Sequence, residues 1–557
     1  MTPFSCYTLF RAPECACSVS DMNTLPTPPM SFSIWGTEQE AKPLSANLQS
    51  LVSKVVGSTT PRPAPSQPDV KITESALSES QIQQLAAIVG TGYVTQDREQ
   101  RIPRARGKSY FDLLDWREDA VIDVPDAVIA PASNDEVLAI LQWCTDERVA
   151  VVPFGGGTSV VGGVSPLRGD FDAVLSLDLA RFDAIENVDP ISGEATLGAG
   201  MSGPHAEIAL AEHGLQLGHF PQSFPYATIG GFAATRSSGQ NSAGYGRFDE
   251  MVASMEVVTP TGITTVGDAA PASAAGPDIK EVFLGSEGAF GVITKVRLKV
   301  HPIPEAKEYE AFVFEDFAHG VAGVRAVEQQ GTGPTVIRLS DEIESATNLT
   351  STDAIGESEA AAPHGCLCLT MYEGTREHVA SRHEETRNLL LSMGATSVGE
   401  APVRKWEKGR FGAPVLRDAL LDAGVLCETF ETATTWSNVP ALKKAVTAAV
   451  TASLGDGDSV ALVLCHVSHV YANGCSLYFT ILGAQNDQPL QQWGTAKRAI
   501  LQAITDNGGT ITHHHAVGKD HASFMDKEVG EMGLGVLRAI KSHLDPAGIL
   551  NPGKLLP

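Results

Sequence analysis

The stretch that decides the fold is "VAVVPFGGGTSVVGGVSP", Val149 to Pro166. An apolar run ends in three consecutive glycines, followed by Thr158 and Ser159. "VAVV" reads as a short buried strand, which leaves bare backbone at its end. Glycines let backbone N–H groups approach an anion, and the two hydroxyls add donors. Phe154 to Ser159 is therefore a candidate phosphate cradle. It is not a Walker loop, since no Gly-Lys-Ser/Thr follows, and no glycine falls three places after Gly157 to complete a G-x-G-x-x-G fingerprint. A simple turn also satisfies the loop taken alone.

Upstream lies "DAVIAPASNDEVLAILQWCTDERVAVVPFGGG". Ser133 and Glu136 have capping-box spacing, and Val137, Leu138, Leu141 and Trp143 predict an amphipathic helix. The unit is strand, helix, strand, as in an α/β or α+β domain. Downstream, Val292, Thr294, Val296, Leu298 and Val300 alternate with Ile293, Lys295, Arg297 and Lys299, the period of a half-buried strand. Near residue 305 the texture changes to longer helices and strands, and a second domain is expected there. No internal repeat is present.

The chain has 557 residues, enough for two or more domains. Its 43% hydrophobic and 19% charged residues are those of a soluble globular protein. A net charge of -26 opposes nucleic acid and anionic membrane surfaces as partners. No run of about 20 apolar residues offers a membrane span. The cysteine pairs Cys15/Cys17 and Cys366/Cys368 have no partner pair at zinc-finger spacing, so reduced thiols in a cytoplasmic protein are expected. Residues 1–75, rich in Pro, Ser and Thr, are expected to form a disordered extension, with Met30 a second candidate start.

Two further glycine-rich stretches, Phe220 to Val252 and Gly285 to Val296, are polar yet carry little charge. Three such stretches suit a long cofactor lying extended over a sheet. In this order they resemble the flavoproteins of the vanillyl-alcohol oxidase and p-cresol methylhydroxylase superfamily, over roughly residues 110–557. The resemblance implies an α+β chain with a two-subdomain FAD-binding fold of the p-cresol methylhydroxylase type and a cap domain with an antiparallel sheet and flanking helices. It implies a lead-in over 76–120, the FAD-binding domain over 121–304, the cap over 305–500 and a C-terminal return over 501–557. It further implies FAD held by Pro153, Phe154, Gly155, Gly156, Gly157, Thr158 and Ser159. Pro221, Gln222, Ser223, Phe224, Pro225, Tyr226 and Ala227, with Ala234, Thr235, Arg236 and Ser237, would line the flavin. Glu287, Gly288, Ala289, Phe290, Gly291, Val292 and Ile293 would complete the site. Some members tether the flavin through a histidine near the first loop; FGGGTS has none, so non-covalent FAD is expected.

"GGTITHHHAVGKDH" carries His513, His514 and His515. On an extended segment His513 and His515 share a face and His514 points away, which does not support three ligands on one metal. No metal is expected; a solvated run, proton transfer or phosphate binding remain. The run resembles Ser-His-His-His-Gly-Val-Gly-Lys of the alkyldihydroxyacetonephosphate synthase family. "IRLSD" with Arg338, "GRFGAPVLRDALLDAGV" with Arg417, "ETFETATTW" and "LDPAGILNPGKL" agree. That family exchanges the acyl group of acyl-dihydroxyacetone phosphate for a long-chain alcohol, with flavin N5 attacking the substrate carbon and no net redox change.

By this resemblance the histidines are catalytic, and Arg338 and Arg417 are ligands of an anionic group. An ion pair at a domain interface is the other reading of each arginine. Thr480 stands where the family carries an acid/base tyrosine, Tyr478 lies two residues earlier on the same strand face, and Ala516 replaces a glycine. Three functions are thus in view: a synthase-like transferase on a lipid-like substrate, an FAD-linked oxidase or dehydrogenase of a 2-hydroxy acid, and a flavin-binding protein of little activity. A homodimer is also expected.

Overall fold

The computed structural model describes residues 29–118, 120–267, 270–347, 364–455 and 461–557. Cys15, Cys17 and the start of the expected extension lie outside them.

The strand Val149–Phe154 sits at one edge of a four-stranded sheet, beside Ala173–Asp178, then Ala127–Ile129 and Val94–Thr95. The first three of these run parallel and the last is antiparallel. Strand residues from Val149 to Val152 are all buried, because the sheet is covered on both faces and strands in such sheets read as continuous apolar runs. The helix Asn134–Asp146 packs on this sheet through Val137, Ile140, Leu141 and Cys144. Ser133 caps it by accepting from Glu136 N, while the Glu136 carboxylate reaches one residue further back, to Ala132 N.

A five-stranded antiparallel sheet follows, ordered Gly262–Gly267, Val252–Thr259, Val292–Lys299, Glu194–Gly198 and Ile185–Asp189. Val292–Lys299 is its centre, so Ile293 is buried along with Val292 and Thr294 at the start, and the expected alternation holds only from Thr294 onward. The largest sheet has seven antiparallel strands, from the edge Thr396–Gly399 through Ala306–Phe314, Cys366–Gly374, Val336–Ser340, Leu462–Tyr471 and Gly474–Ala484 to Val425–Thr435. Helices Phe317–Gln330, Arg376–Ser392, Val439–Leu454 and Pro489–Asp506 cover one face of it. The helix Ala401–Gly409 covers part of the other face through Val403 and Trp406, and Arg338, His466, Tyr478 and Thr480 line a cavity together with the glycine loops. The fold is α+β with an antiparallel cap sheet. Among the described residues, no helix is long and apolar enough to cross a membrane.

The N-terminal extension differs from the compositional expectation. From residue 29 onward it is tied to the body: Met30, Phe32 and Trp35 are buried, and Lys108 Nζ donates to Ser31 O (2.6 Å) and Phe32 O (2.9 Å). Trp35 N donates to the Asp418 carboxylate, and the helix Ala46–Val55 packs on Leu416 and Leu420. A few aromatic and aliphatic anchors hold a segment whose average composition suggests no core.

Cys144, Cys366, Cys368, Cys427, Cys465 and Cys475 are free and buried.

Candidate active site

At the end of strand Val149–Phe154 the chain has no room for side chains. A Cβ on Gly156 would lie 2.0 Å from Tyr226 O, and one on Gly155 2.4 Å from Thr228 Oγ1. Gly157 has φ +66°, in the left-handed region that favours glycine. The loop is pressed against the second glycine-rich stretch, and their backbones form one wall of a cavity of about 490 Å³.

Most of the expected cofactor residues reach that wall: Pro153 to Ser159, Pro221, Gln222, Ser223, Ala227, Ala234, Thr235, Ser237, Glu287, Gly288, Gly291 and Ile293. The rest stand behind it. Arg236 is spent on ion pairs to Asp249 (2.9 Å) and Glu281 (2.5 Å). Tyr226 points outward to Glu40 Oε2 (2.6 Å), and Phe224 packs between Phe220 and Phe411. Ala289, Phe290 and Val292 are core, and Pro225 is off the wall.

The donor set fits FAD. Three stretches far apart in sequence present bare backbone along one wall, and Gln222 Nε2 and Gln240 Oε1, both buried on it, have no hydrogen-bond partner in the protein. Buried polar atoms are ordinarily satisfied, so these await ligand atoms. Glu287 accepts from Val517 N (3.0 Å) and Gly518 N (2.9 Å), and burial pushes its carboxyl up to about 7 against those bonds.

The opposite wall is made of side chains from the cap sheet, the helix Ala413–Asp422 and the 512–518 segment. Arg338, Arg417, Tyr478, Thr480, His514 and His515 all line it. Arg338 pairs with Glu344 and donates from Nη1 to His466 Nε2 (2.9 Å), but its buried Nε has no partner. Arg417 is held by Asp418 Oδ1 (3.0 Å from Nη2) and Lys108 O (2.7 Å from Nη1). Tyr478 donates to Thr429 Oγ1 (3.0 Å) and stacks on His466 at 4.9 Å. Burial pushes its phenol up to about 12.

The histidine run departs from the extended geometry expected of it. It is not a strand; it turns around one carboxylate. Glu431, buried in the strand Val425–Thr435, accepts from Thr512 Oγ1 (2.6 Å) and from the backbone N of His513 (2.5 Å), His514 (3.1 Å) and His515 (2.9 Å). Three successive N–H groups converging on one acceptor prevent alternation. Instead of facing apart, the Nδ1 atoms of His513 and His514 lie 2.9 Å from each other. The alternation assumed from the sequence is therefore absent, but the run still does not bring its three histidines together as ligands: His469 from the cap sheet, not His515, joins the pair. His513 lies behind the wall, its Nε2 2.5 Å from the Tyr471 hydroxyl. Burial would raise the Glu431 carboxyl, but the adjacent imidazoles and the Thr512 hydroxyl outweigh it and hold the group far below the carboxylate range. Burial pulls His513 and His514 down to about 4 and His515 to about 3, with Glu431 opposing. The rings are uncharged at neutral pH.

Sequence reasoning missed His466, His469, Glu344, Glu431, Thr429 and Ser238, and the N-terminal Trp35, Val52 and Val56. The motif "CHVSH" was a usable signal for the two histidines, and Thr429 and Glu431 lie within "ETFETATTW"; the other residues carry none.

The fold and the site define an FAD-dependent enzyme of the FAD-linked oxidase type. The FAD binding domain family matches residues 125–267, and the family described as FAD linked oxidases, C-terminal domain, matches 303–555. The chain is 32% identical over 496 residues to alkyldihydroxyacetonephosphate synthase of Trypanosoma brucei brucei, covering 86% of this chain and 80% of that one. It is 32% identical over 493 residues to the same enzyme of Dictyostelium discoideum, with the same coverage. A solved structure of alkyldihydroxyacetonephosphate synthase superposes with a TM-score of 0.80 at 27% identity, covering 94% of this chain and 99% of that one. The fold is also shared with p-cresol methylhydroxylase, at a TM-score of 0.65 and 16% identity. The chain belongs to the alkyldihydroxyacetonephosphate synthase family.

Proposed function

We propose that the protein exchanges the acyl group of an acylated dihydroxyacetone phosphate for a long-chain alcohol, using non-covalent FAD. The observation that carries this reading is the material of the cavity beyond the arginines. Val52, Val56, Leu416, Leu420, Val425, Cys427 and Leu482 line it and belong to one hydrophobic cluster. A 2-hydroxy acid has no use for such a lining. A fatty chain gains about 0.8 kcal/mol for each methylene it buries there.

Each group on the cap wall then has a task. Arg338 and Arg417 take the phosphate, since fixed guanidinium forks suit it, and the unpartnered Arg338 Nε is the free donor. His514 and His515, uncharged and on the wall, accept the proton that the alcohol loses as its oxygen bonds to carbon. Tyr478, which keeps its proton and stacks on the histidines, stands in for the phenol that Thr480 lacks. Pro153 to Ser159, with Gln222 and Gln240, hold the FAD. Bound there, FAD supplies the reactive isoalloxazine ring. The reading carries with it the cytoplasmic location and homodimer expected from the sequence, checked by fractionation and by light scattering.

The test is to supply the FAD-loaded protein with acyl-dihydroxyacetone phosphate and a long-chain alcohol, and to look by mass spectrometry for an ether product and released fatty acid. Their absence, with flavin reduction by a 2-hydroxy acid, would replace this reading by the oxidoreductase.

A further inference from the structure

Three histidines from two parts of the chain meet beside the cavity, and the geometry points to a divalent metal site, occupied by Zn2+, formed by His469, His513 and His514. One ring nitrogen of each lies within 4.8 Å of the other two. Tetrahedral Zn2+ with Zn–N of about 2.0–2.1 Å places ligand nitrogens roughly 3.3 Å apart. The His513 and His514 Nδ1 atoms, at 2.9 Å, need open only slightly to accept an ion between them. His469, on the strand Leu462–Tyr471, is stacked on the His513 ring at 5.0 Å and turns its ring to point a nitrogen at the ion.

The surroundings are those a metal site requires. A ligating histidine usually has its other ring nitrogen fixed by an oxygen partner. His469 Nδ1 is 2.7 Å from Ser242 Oγ and 3.0 Å from Ser238 Oγ, which leaves Nε2 for the ion. His513 Nε2 is taken by the Tyr471 hydroxyl, which leaves the Nδ1 that faces His514. The buried Glu431 carboxylate lies 3.8 Å from His514 Nδ1 and, among the described residues, has no lysine or arginine partner. A bound cation offsets that charge. His469 and His514 both face the cavity, so the fourth position is open to water or to an oxygen of a ligand. Imidazole ligands suit several first-row ions, and a tetrahedral set of three with one open position selects Zn2+ among them.

Binding does not depend on the proposed reaction, but its consequence rests on it. His514 cannot accept a proton on a nitrogen that holds an ion, so Zn2+ leaves proton transfer to His515 alone and slows ether formation.

The experiment uses the full FAD-loaded chain, stripped with a chelator and titrated with Zn2+, beside the His469→Gln variant. Wild type takes up one Zn2+ per chain more than the variant, with both remaining yellow, and ether turnover falls with occupancy and returns with chelator. Co2+ provides a reading that needs no variant: a strong four-coordinate band to the red of the flavin absorption. Equal Zn2+ uptake by both proteins, or a weak six-coordinate Co2+ spectrum in the wild type, overturns the site. Full turnover of the Zn2+-loaded enzyme overturns the inhibition. A chain with no ether activity still answers both metal readings, so failure of the reaction and failure of the site are told apart.

Discussion

The two walls of the cavity are built of different material. On the cofactor side the working parts are backbone: Gly155, Gly156 and Gly157 cannot carry a side chain without striking Thr228, Tyr226 or Phe154. On the cap side they are side chains, delivered by separate strands and by the 512–518 segment. A backbone wall tolerates no added atom. A side-chain wall can lose one atom group and keep its shape. The difference teaches that cofactor binding and chemistry fail separately in this molecule.

The strongest way to break the comparison is Gly156→Glu. Its Cβ would meet Tyr226 O at 2.0 Å, and its carboxylate would face the pyrophosphate. The expected protein is colourless and inactive, read from flavin absorbance after purification. A yellow variant would sink the cradle assignment. His514→Ala tests the other wall. Turnover should fall by about 10²- to 10⁴-fold, the usual worth of a proton-transfer group, with FAD content unchanged by absorbance. Loss of flavin along with turnover would mean the walls are not independent.

How much of this was legible in the sequence follows the same division. The glycine loop could be read because its three glycines are contiguous and follow an apolar strand. The His run was visible for the same reason, but its geometry was not. Consecutive histidines suggest an alternating strand, and only Glu431, 82 residues before His513, makes them turn. His466 meets Arg338 through strand pairing across the cap sheet, which no local pattern encodes, and Glu344 joins them from the helix Glu342–Thr347. Residues 29–75 misled for a compositional reason, since Trp35 and Val56 do their packing singly among prolines and serines.

Smaller effects sharpen the picture. Val56→Phe narrows the apolar lining where the N-terminal helix ends. It should lower kcat/KM for the longest alcohols by about tenfold relative to short ones, the scale of a methylene or two in a tight pocket. An unchanged chain-length profile would place the chain elsewhere. Glu207, half-buried on the helix Gly203–Ala211, accepts from Gly218 N and Leu217 N; desolvation pushes its carboxyl up to about 7 despite those bonds. A carboxyl with a raised value stabilises the fold at low pH, and that contribution is lost as pH rises from its ordinary 4.5 through about 7. Melting curves across that window should fall more steeply in wild type than in Glu207→Gln; parallel slopes would show that Glu207 is not the group responsible.

The smallest effect expected is at Ala516, the residue that follows the histidine run. Its φ of +74° is strained for a residue with a Cβ. Ala516→Gly should raise stability by about 1 kcal/mol in denaturant melts, and destabilisation would show that the strain is relieved in some other way.

A flavin wall and a lipid-lined cap wall share one cavity, and the ether synthesis proposed there proceeds without net oxidation. It is tested most directly by anaerobic incubation with acyl-dihydroxyacetone phosphate and a long-chain alcohol, recording ether product and the flavin spectrum together. Ether product with the flavin oxidised at the end is the expected result. Flavin bleaching without an ether product would contradict it.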